Sequence, residues 1–385
     1  MIYADYNGSS PLLPSVKTYL HKRIDSDLFA NPNAIHSMGQ KISLGIEKCR
    51  QIIADVFGCY PDQIFFNSGS SEGVSTILHS VLEFAPKEKN VVITSPIEHA
   101  VMPAALSFYE DRRGFIIKKV KVDESGVIDL VDFQKLINEY KSTVALVSIM
   151  GANNETGVIQ PYQEIAKICR AEGIEYFCDT TTMMGKLDFH FERSQVDYAI
   201  CSSHKLGALT GSGFLIAREP EKIMPYIFGS SQERSIRGGT QHYLGIETLA
   251  IAAKNFDENK NKLESLELAR LNFEKEIKAS IPEAVIIGEN SKRLAGTTLV
   301  GFPGIHGQAI QIELESHNIF VTTSAACSDN QPETSKVLQA MGINDQIGRS
   351  VIRISLSYSG GKQEYADLAA ALKAAYNKLN KIHSY

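Results

Sequence analysis

Between Gln63 and Ile216 short apolar, β-branched runs recur, and stretches of helical length separate them. Gln63–Phe66, Asn90–Thr94, Val144–Ile149, Glu175–Cys178, Tyr198–Cys201 and Gly213–Ile216 read as strands. Met38–Phe57, Gly73–Phe84 and Tyr162–Ala171 carry helical periodicity. Ile116–Val122 alternates apolar and basic residues, as an edge or half-exposed strand would. Strands with helices between them need crossover connections, which predicts a largely parallel sheet covered on both faces. After about Leu244 the character changes. A charged helical stretch, Ile246–Ile281, bridges to a smaller α+β unit holding strands at Thr297–Phe302, Phe320–Val321 and Val351–Leu356. Helices over Gln308–Ser316 and Thr334–Met341 complete that unit.

Composition limits the partners. The 385 residues suffice for two or three domains at ~150 residues each. With 39 Lys+Arg against 44 Asp+Glu and no long single-sign block, bulk electrostatics do not favour nucleic acid or an anionic membrane. The longest apolar run, Val144–Met150, is far short of the ~18 residues of a membrane span. No basic and apolar leader precedes Asp5, so a signal peptide is not expected. None of the six cysteines shows CxxC spacing, which disfavours zinc and points to reduced thiols in a cytoplasmic protein.

Three constellations carry chemistry. Phe66-Asn67-Ser68-Gly69-Ser70-Ser71-Glu72-Gly73 runs from a strand through a small-residue turn into a helix. Free N–H groups, the helix dipole and serine hydroxyls there would cradle a phosphate, although an ordinary Ser-rich N-cap fits equally. Asp179 ends an apolar strand at the edge where open parallel sheets bind ligands. Such an acid faces a cation, for example a protonated pyridine nitrogen, or it N-caps the next helix. Lys205 leaves a buried strand through Ser202-Ser203-His204 into a glycine-containing loop. Desolvation at such a place makes a lysine a usable amine nucleophile, whereas a lone lysine is ordinarily solvated.

Cup, acid and lysine stand in the order and spacing of fold-type I pyridoxal-phosphate enzymes. The chain resembles the class V aminotransferase group, and within it the cysteine desulfurases of the NifS/IscS kind. The matching blocks are Tyr3-Ala4-Asp5-Tyr6-Asn7, Ala30–His36, Ser68–Glu72, Glu98-His99, Asn153–Gly157, Asp179, Ser202–Lys205, Arg237–Thr240, Ala325–Cys327 and Arg353–Leu356. The resemblance implies a large domain with a mostly parallel seven-stranded sheet over residues 12–255, and a small α+β domain from 1–11 and 256–385. It implies pyridoxal 5'-phosphate held by Lys205, with Asp179 on the pyridine nitrogen and His99 stacked on the ring. Ser70, Ser71, Ser202 and His204 would bind phosphate, with Thr240 supplied by the second subunit of a homodimer. Asn154 would lie near the ring hydroxyl and substrate, Arg353 would clamp the substrate carboxylate, and Asn31 would stand at the mouth of the site. Cys327 would be the nucleophile that takes sulfur from L-cysteine, leaves alanine, and passes a persulfide to an acceptor or scaffold protein. On composition alone Cys327 reads either as an exposed thiolate or as inert packing.

Two segments depart from the family pattern. Asp179-Thr180-Thr181-Thr182 replaces Asp-Ala-x-Gln, which puts the shorter Thr182 where a glutamine contacts the ring oxygen. Thr323-Ser324-Ala325-Ala326-Cys327 replaces Ser-Gly-Ser-Ala-Cys and loses a glycine's φ freedom. Selenocysteine or another amino acid as substrate, or a non-catalytic partner in a sulfur-transfer assembly, are the alternatives these changes leave.

Overall fold

The computed structural model describes residues 1–324 and 333–383. β1 (Ile2–Tyr3) opens the chain. β2 (Ile64–Asn67), β3 (Val91–Thr94), β4 (Ile116–Lys119), β5 (Val144–Ser148), β6 (Tyr176–Cys178), β7 (Tyr198–Ser202) and β8 (Gly213–Ala217) build one seven-stranded sheet in the order β2-β8-β7-β6-β5-β3-β4. Its pairs are parallel except where β8 runs against both β7 and β2. Gly213–Ile216, read as one more strand of a parallel sheet, thus reverses. The ten residues between β7 and β8 form no crossover helix, so the chain folds back as a hairpin with Ser202 opposite Gly213.

Both faces of this sheet are covered, because its side chains alternate between two apolar clusters. Ile64 and Phe66 of β2, with Phe214 and Ile216 of β8, point into one. Phe65, Leu215 and Ala217 point into the other. The helix Ser37–Phe57 lies on the first face and packs against Tyr243–Asn259. β4 occupies the sheet edge, where Lys118 and Lys119 discourage further pairing, and Lys118 Nζ sits 4.8 Å from the Tyr140 ring.

The second part has its own sheet, β9 (Val285–Ile286) and β10 (Thr297–Gly301) with β12 (Val351–Ser355), all antiparallel. β11 (Ile319–Phe320) pairs in parallel with β1. The helices Leu263–Ser280, Gly307–Glu315 and Lys362–His383 cover this part and share its core with Ala4. The charged stretch expected as a continuous helix over Ile246–Ile281 is two helices, Tyr243–Asn259 and Leu263–Ser280. They are broken by a tight turn at Lys260–Lys262, where polar residues offer no apolar face to continue. The helix expected from Gly73 starts earlier, at Ser70, and gives way after Leu78 to a wider π-type turn over His79–Glu83.

Candidate active site

The serine turn becomes a cup through its backbone. Gly69 has φ +140°, open to glycine alone, and a Cβ there would lie 3.2 Å from Ser202 Oγ. Asn67 Oδ1 accepts the Gly69 N–H at 2.9 Å, which fixes the turn. The helix Ser70–Leu78 has no side-chain cap, so its first N–H groups stay available to an anion. Glu72 in the first turn would oppose that anion, but Arg237 pairs with it at 2.9 and 3.1 Å. Burial alone would raise the Glu72 carboxyl. Arg237 and the Ser68 N–H outweigh it and pull the carboxyl below its ordinary range.

Asp179 follows β6 and is buried. Its Oδ1 accepts the Thr181 N–H at 2.9 Å, closing a turn rather than capping a helix. Thr180 Oγ1 donates to Ile200 O at 2.7 Å and ties the turn to β7. That tether aims Thr181, not Thr182, at the cup: Thr181 Oγ1 donates to Ser70 Oγ at 2.7 Å. Thr182 is buried beside Met183 and Met184.

Lys205 ends the short turn after β7. Its Nζ donates to Asn7 O at 2.5 Å and Gly8 O at 2.7 Å, and Ser10 Oγ donates to Lys205 O at 2.7 Å. His204 Nδ1 lies 3.1 Å from Ser9 Oγ. The loop Tyr6–Ser10 therefore wraps the lysine, a long-range contact that the Tyr3–Asn7 motif alone does not announce. Burial pushes His204 down to about 4, with Lys205 and Lys186 adding to it. His99 precedes the helix Val101–Arg113 and responds to both Asp179 and Lys205. Burial lowers it, Asp179 opposes and Lys205 lowers it further, so the ring is biased to its neutral form.

Glu98, next to His99, is buried and accepts from Ser95 Oγ at 2.5 Å and Met150 N at 3.0 Å. Burial pushes its carboxyl up to about 8, and the Asp179 charge adds to this. Because the folded value lies above the ~4.3 of an unfolded glutamate, the stabilisation is full below ~4.3 and is lost as pH rises through about 8. The urea midpoint is expected to fall between pH 5.5 and 8.5, and Glu98→Gln to reduce that slope. Glu155, raised to about 7 by burial, leaves part of the slope in place. An unchanged slope in Glu98→Gln would contradict the assignment.

Arg353 on β12 reaches the same region. Nη2 pairs with Asp5 Oδ1 at 2.7 Å and Nη1 donates to Asn154 O at 3.0 Å. Its Nε is buried with no acceptor among the described residues. Asn7 Nδ2 donates to Asn154 O at 3.2 Å and to Thr297 Oγ1 at 3.1 Å, which joins the N-terminal loop to the second sheet. Ser71, Asn31 and Thr240 are exposed, and Asn31 Oδ1 only closes its own turn on Asn33 N. Cys327 lies outside the described residues. The five other cysteines are free, and burial raises the four whose shifts bear on reactivity near the sheet, Cys49, Cys169, Cys178 and Cys201, as it does Cys59.

These residues fit pyridoxal phosphate. An uncapped helix N-terminus suits its phosphate, and a buried carboxylate suits a cationic ring nitrogen. A lysine and a neutral-biased histidine lie in one electrostatic neighbourhood with that carboxylate. Asp5, Asn7, Thr181 and Lys186, which motif reading left without a role, contact or neighbour these residues. The first two sit inside a quoted motif, and Thr181 is one residue from the expected Thr182.

The comparisons agree with this geometry. The aminotransferase class-V family model matches residues 2–366. A cysteine desulfurase of Enterobacter agglomerans is 32% identical over 359 residues, 92% of this chain and 88% of that protein. A solved NifS-like protein superimposes with a TM-score of 0.89 at 32% identity, covering 98% of this chain and 100% of the other. A structure of SspA in complex with cysteine gives a TM-score of 0.78 at 29% identity, covering 92% of this chain and 99% of that one.

Proposed function

Because the chain belongs to the class V aminotransferase family, we propose that it is a pyridoxal-phosphate-dependent cysteine desulfurase, converting L-cysteine to L-alanine with the sulfur kept on Cys327. The observation that carries the reading is that His99 feels the charges of both Asp179 and Lys205, while the turn after Asp179 reaches the uncapped helix N-terminus through Thr181 and Ser70. Pyridoxal phosphate, when bound, supplies a conjugated ring that draws electrons from the substrate's α-carbon. Lys205 Nζ holds the cofactor and then takes the α-proton. The Asp179 carboxylate holds a proton at the ring nitrogen, and the first turn at Ser70 and Ser71, with Ser202 and His204, holds the phosphate. Neutral-biased His99 would stack on the ring and could exchange protons there.

Arg353 orients the substrate. Its unpartnered Nε, in a buried guanidinium already braced by Asp5, is the donor a carboxylate would satisfy. Arg353→Lys is expected to raise the KM for cysteine about 10- to 100-fold with a smaller change in kcat, since a planar fork is exchanged for a point charge. Steady-state kinetics measure this, and an unchanged KM would remove Arg353 from substrate binding. The Cys327 thiolate forms an S–S bond to the substrate sulfur as the Cβ–S bond breaks. The electron pair stays with Cβ, which takes a proton and becomes the methyl of alanine.

Residues 12–255 form the cofactor-binding part in this reading, and 1–11 with 256–385 the smaller part, supported by the core that Ala4 shares with the C-terminal helix. A homodimer places Thr240 on the second copy's cofactor. Phe228, 82% exposed beside the close Gly229–Gly238 backbone contact, supports an apolar contact on that side. The persulfide passes to a sulfur acceptor or scaffold protein, as in iron-sulfur cluster assembly, in the cytoplasm. The testing experiment is alanine and sulfide release from L-cysteine, with and without dithiothreitol. Alanine with thiol-dependent sulfide is expected; release of alanine from selenocysteine alone, or no alanine at all, would overturn the reading.

A further inference from the structure

The Lys186 amine is buried without a hydrogen-bond partner among the described residues. It follows the Thr181–Met184 turn, between Gly185 and Leu187. A buried polar group without a partner is destabilising, so packing alone gives no reason for a lysine here.

Its side chain lies between two spaces. One is a small cavity of about 30 Å³ that Lys186 lines together with Lys205, Tyr6, Ser10 and Tyr358. That volume has room for about two water molecules. The other is an open groove of about 770 Å³, lined by Lys186 with Tyr162, Asp188, Glu264, Glu267 and Arg293. Among the described residues, Lys186 is therefore the titratable side chain that lines both the small cavity beside Lys205 and the larger groove.

The geometry points to Lys186 as a positioning residue for Lys205, one that takes a proton from the Lys205 ammonium across the small cavity and returns it to water in the groove. This rests on the reading of Lys205 as the cofactor lysine. An N–H bond of Lys205 breaks and its electron pair stays on Nζ, leaving a neutral amine able to attack the cofactor's carbonyl carbon. The proton crosses through water to the lone pair of Lys186 Nζ, which becomes an ammonium and later releases it to the groove. No oxidant or reductant is needed.

The groups around Lys186 favour this role over others. Asn7 O and Gly8 O, which receive the Lys205 N–H groups, are carbonyls and cannot carry the proton away. Burial pushes Lys186 down to about 7, with Lys205 and Arg353 lowering it further and Cys201 and Asp5 opposing. His204 is pushed down to about 4, a poor proton acceptor at neutral pH. Across the small cavity Tyr6 and Tyr358 are raised by burial and stay protonated. From the groove side Asp188, Glu264 and Glu267 face it together with Lys292 and Arg293, so the exit carries both signs of charge. An amine that titrates near neutrality is matched to proton exchange there.

The test is the rate at which cofactor-free protein regains its visible absorption band on mixing with pyridoxal phosphate, followed by stopped flow from pH 6 to 9. The parent rate is expected to rise through about pH 7, as Lys186 becomes neutral. Lys186→Met should lose that inflection and load about tenfold more slowly at pH 7.5. Lys186→Arg, a permanent cation, should load as slowly, which a merely steric role would not produce. Lys186→Met should melt at or above the parent, and Lys186→Gln serves if the methionine variant does not fold. Variants that keep the parent's rate–pH curve, or a methionine variant that melts below the parent, overturn the inference. A parent that gains no band overturns the cofactor reading itself, before any variant is compared.

Discussion

Lys205→Ala is expected to give a folded protein that lacks the visible absorption band of a lysine-held cofactor and releases no alanine above background. The Lys205 side chain reaches into the site from a turn whose geometry is fixed elsewhere: Ser203 Oγ donates to Ser212 O at 2.6 Å, and Ser10 Oγ donates to the Lys205 backbone O at 2.7 Å. Truncation therefore removes the amine and leaves its frame. Loss of the nucleophile and of the proton acceptor together should cost at least ~10³-fold in rate. Phosphate binding at Ser70 should survive, so the variant is expected to retain pyridoxal phosphate non-covalently. If the band persists in Lys205→Ala, borohydride reduction and peptide mapping would identify the amine that carries it, and the assignment of Lys205 would fall. Lys186, facing the same cavity, is the residue such mapping would test first.

Cys327→Ala separates the two halves of the reaction. The cofactor band is expected to be unchanged, whereas sulfide release from L-cysteine should fall by at least ~10²-fold, since a nucleophile is lost while the base is kept. No other cysteine among the described residues can substitute. Burial first of all raises each of their thiols, and Cys49 and Cys59 reach about 12, so thiolate is scarce at neutral pH. Purified Cys327→Ala that still produces sulfide at the parent rate would sink the desulfurase reading and leave the cofactor reading standing.

The alternation of apolar runs with helical stretches was enough to anticipate the large sheet, because burial on both faces writes itself into continuous hydrophobic strands. It could not give strand direction. Gly213–Ala217 is as apolar as its parallel neighbours, and only the short link from Ser202 hints at a hairpin. Asp179 and Lys205 were legible as strand-end residues, each with a bland alternative, whereas the influence of both charges on His99 is a product of the fold. Which threonine meets Ser70 was not legible, since it depends on Thr180 bonding Ile200 O, a contact between two strands. Lys186 was missed for a similar reason. Its neighbours include Phe256, Leu263 and Tyr358, contributed by distant helices and the segment after β12, and no local pattern marks a lysine that remote residues enclose.

The pairing of β1 with β11 has a consequence in time. Ile2 and Tyr3 are made roughly 300 residues before their partners Ile319 and Phe320, a wait on the order of tens of seconds at ~5–20 residues per second. Asn7 and Gly8, four and five residues beyond that strand, supply the carbonyls that accept from Lys205. The large sheet can form while the nascent chain still lacks this clasp. On the reading of Lys205 as the cofactor lysine, loading is expected to wait for β11, and a ribosome-stalled chain ending before β11 should be folded in its centre yet slow to load.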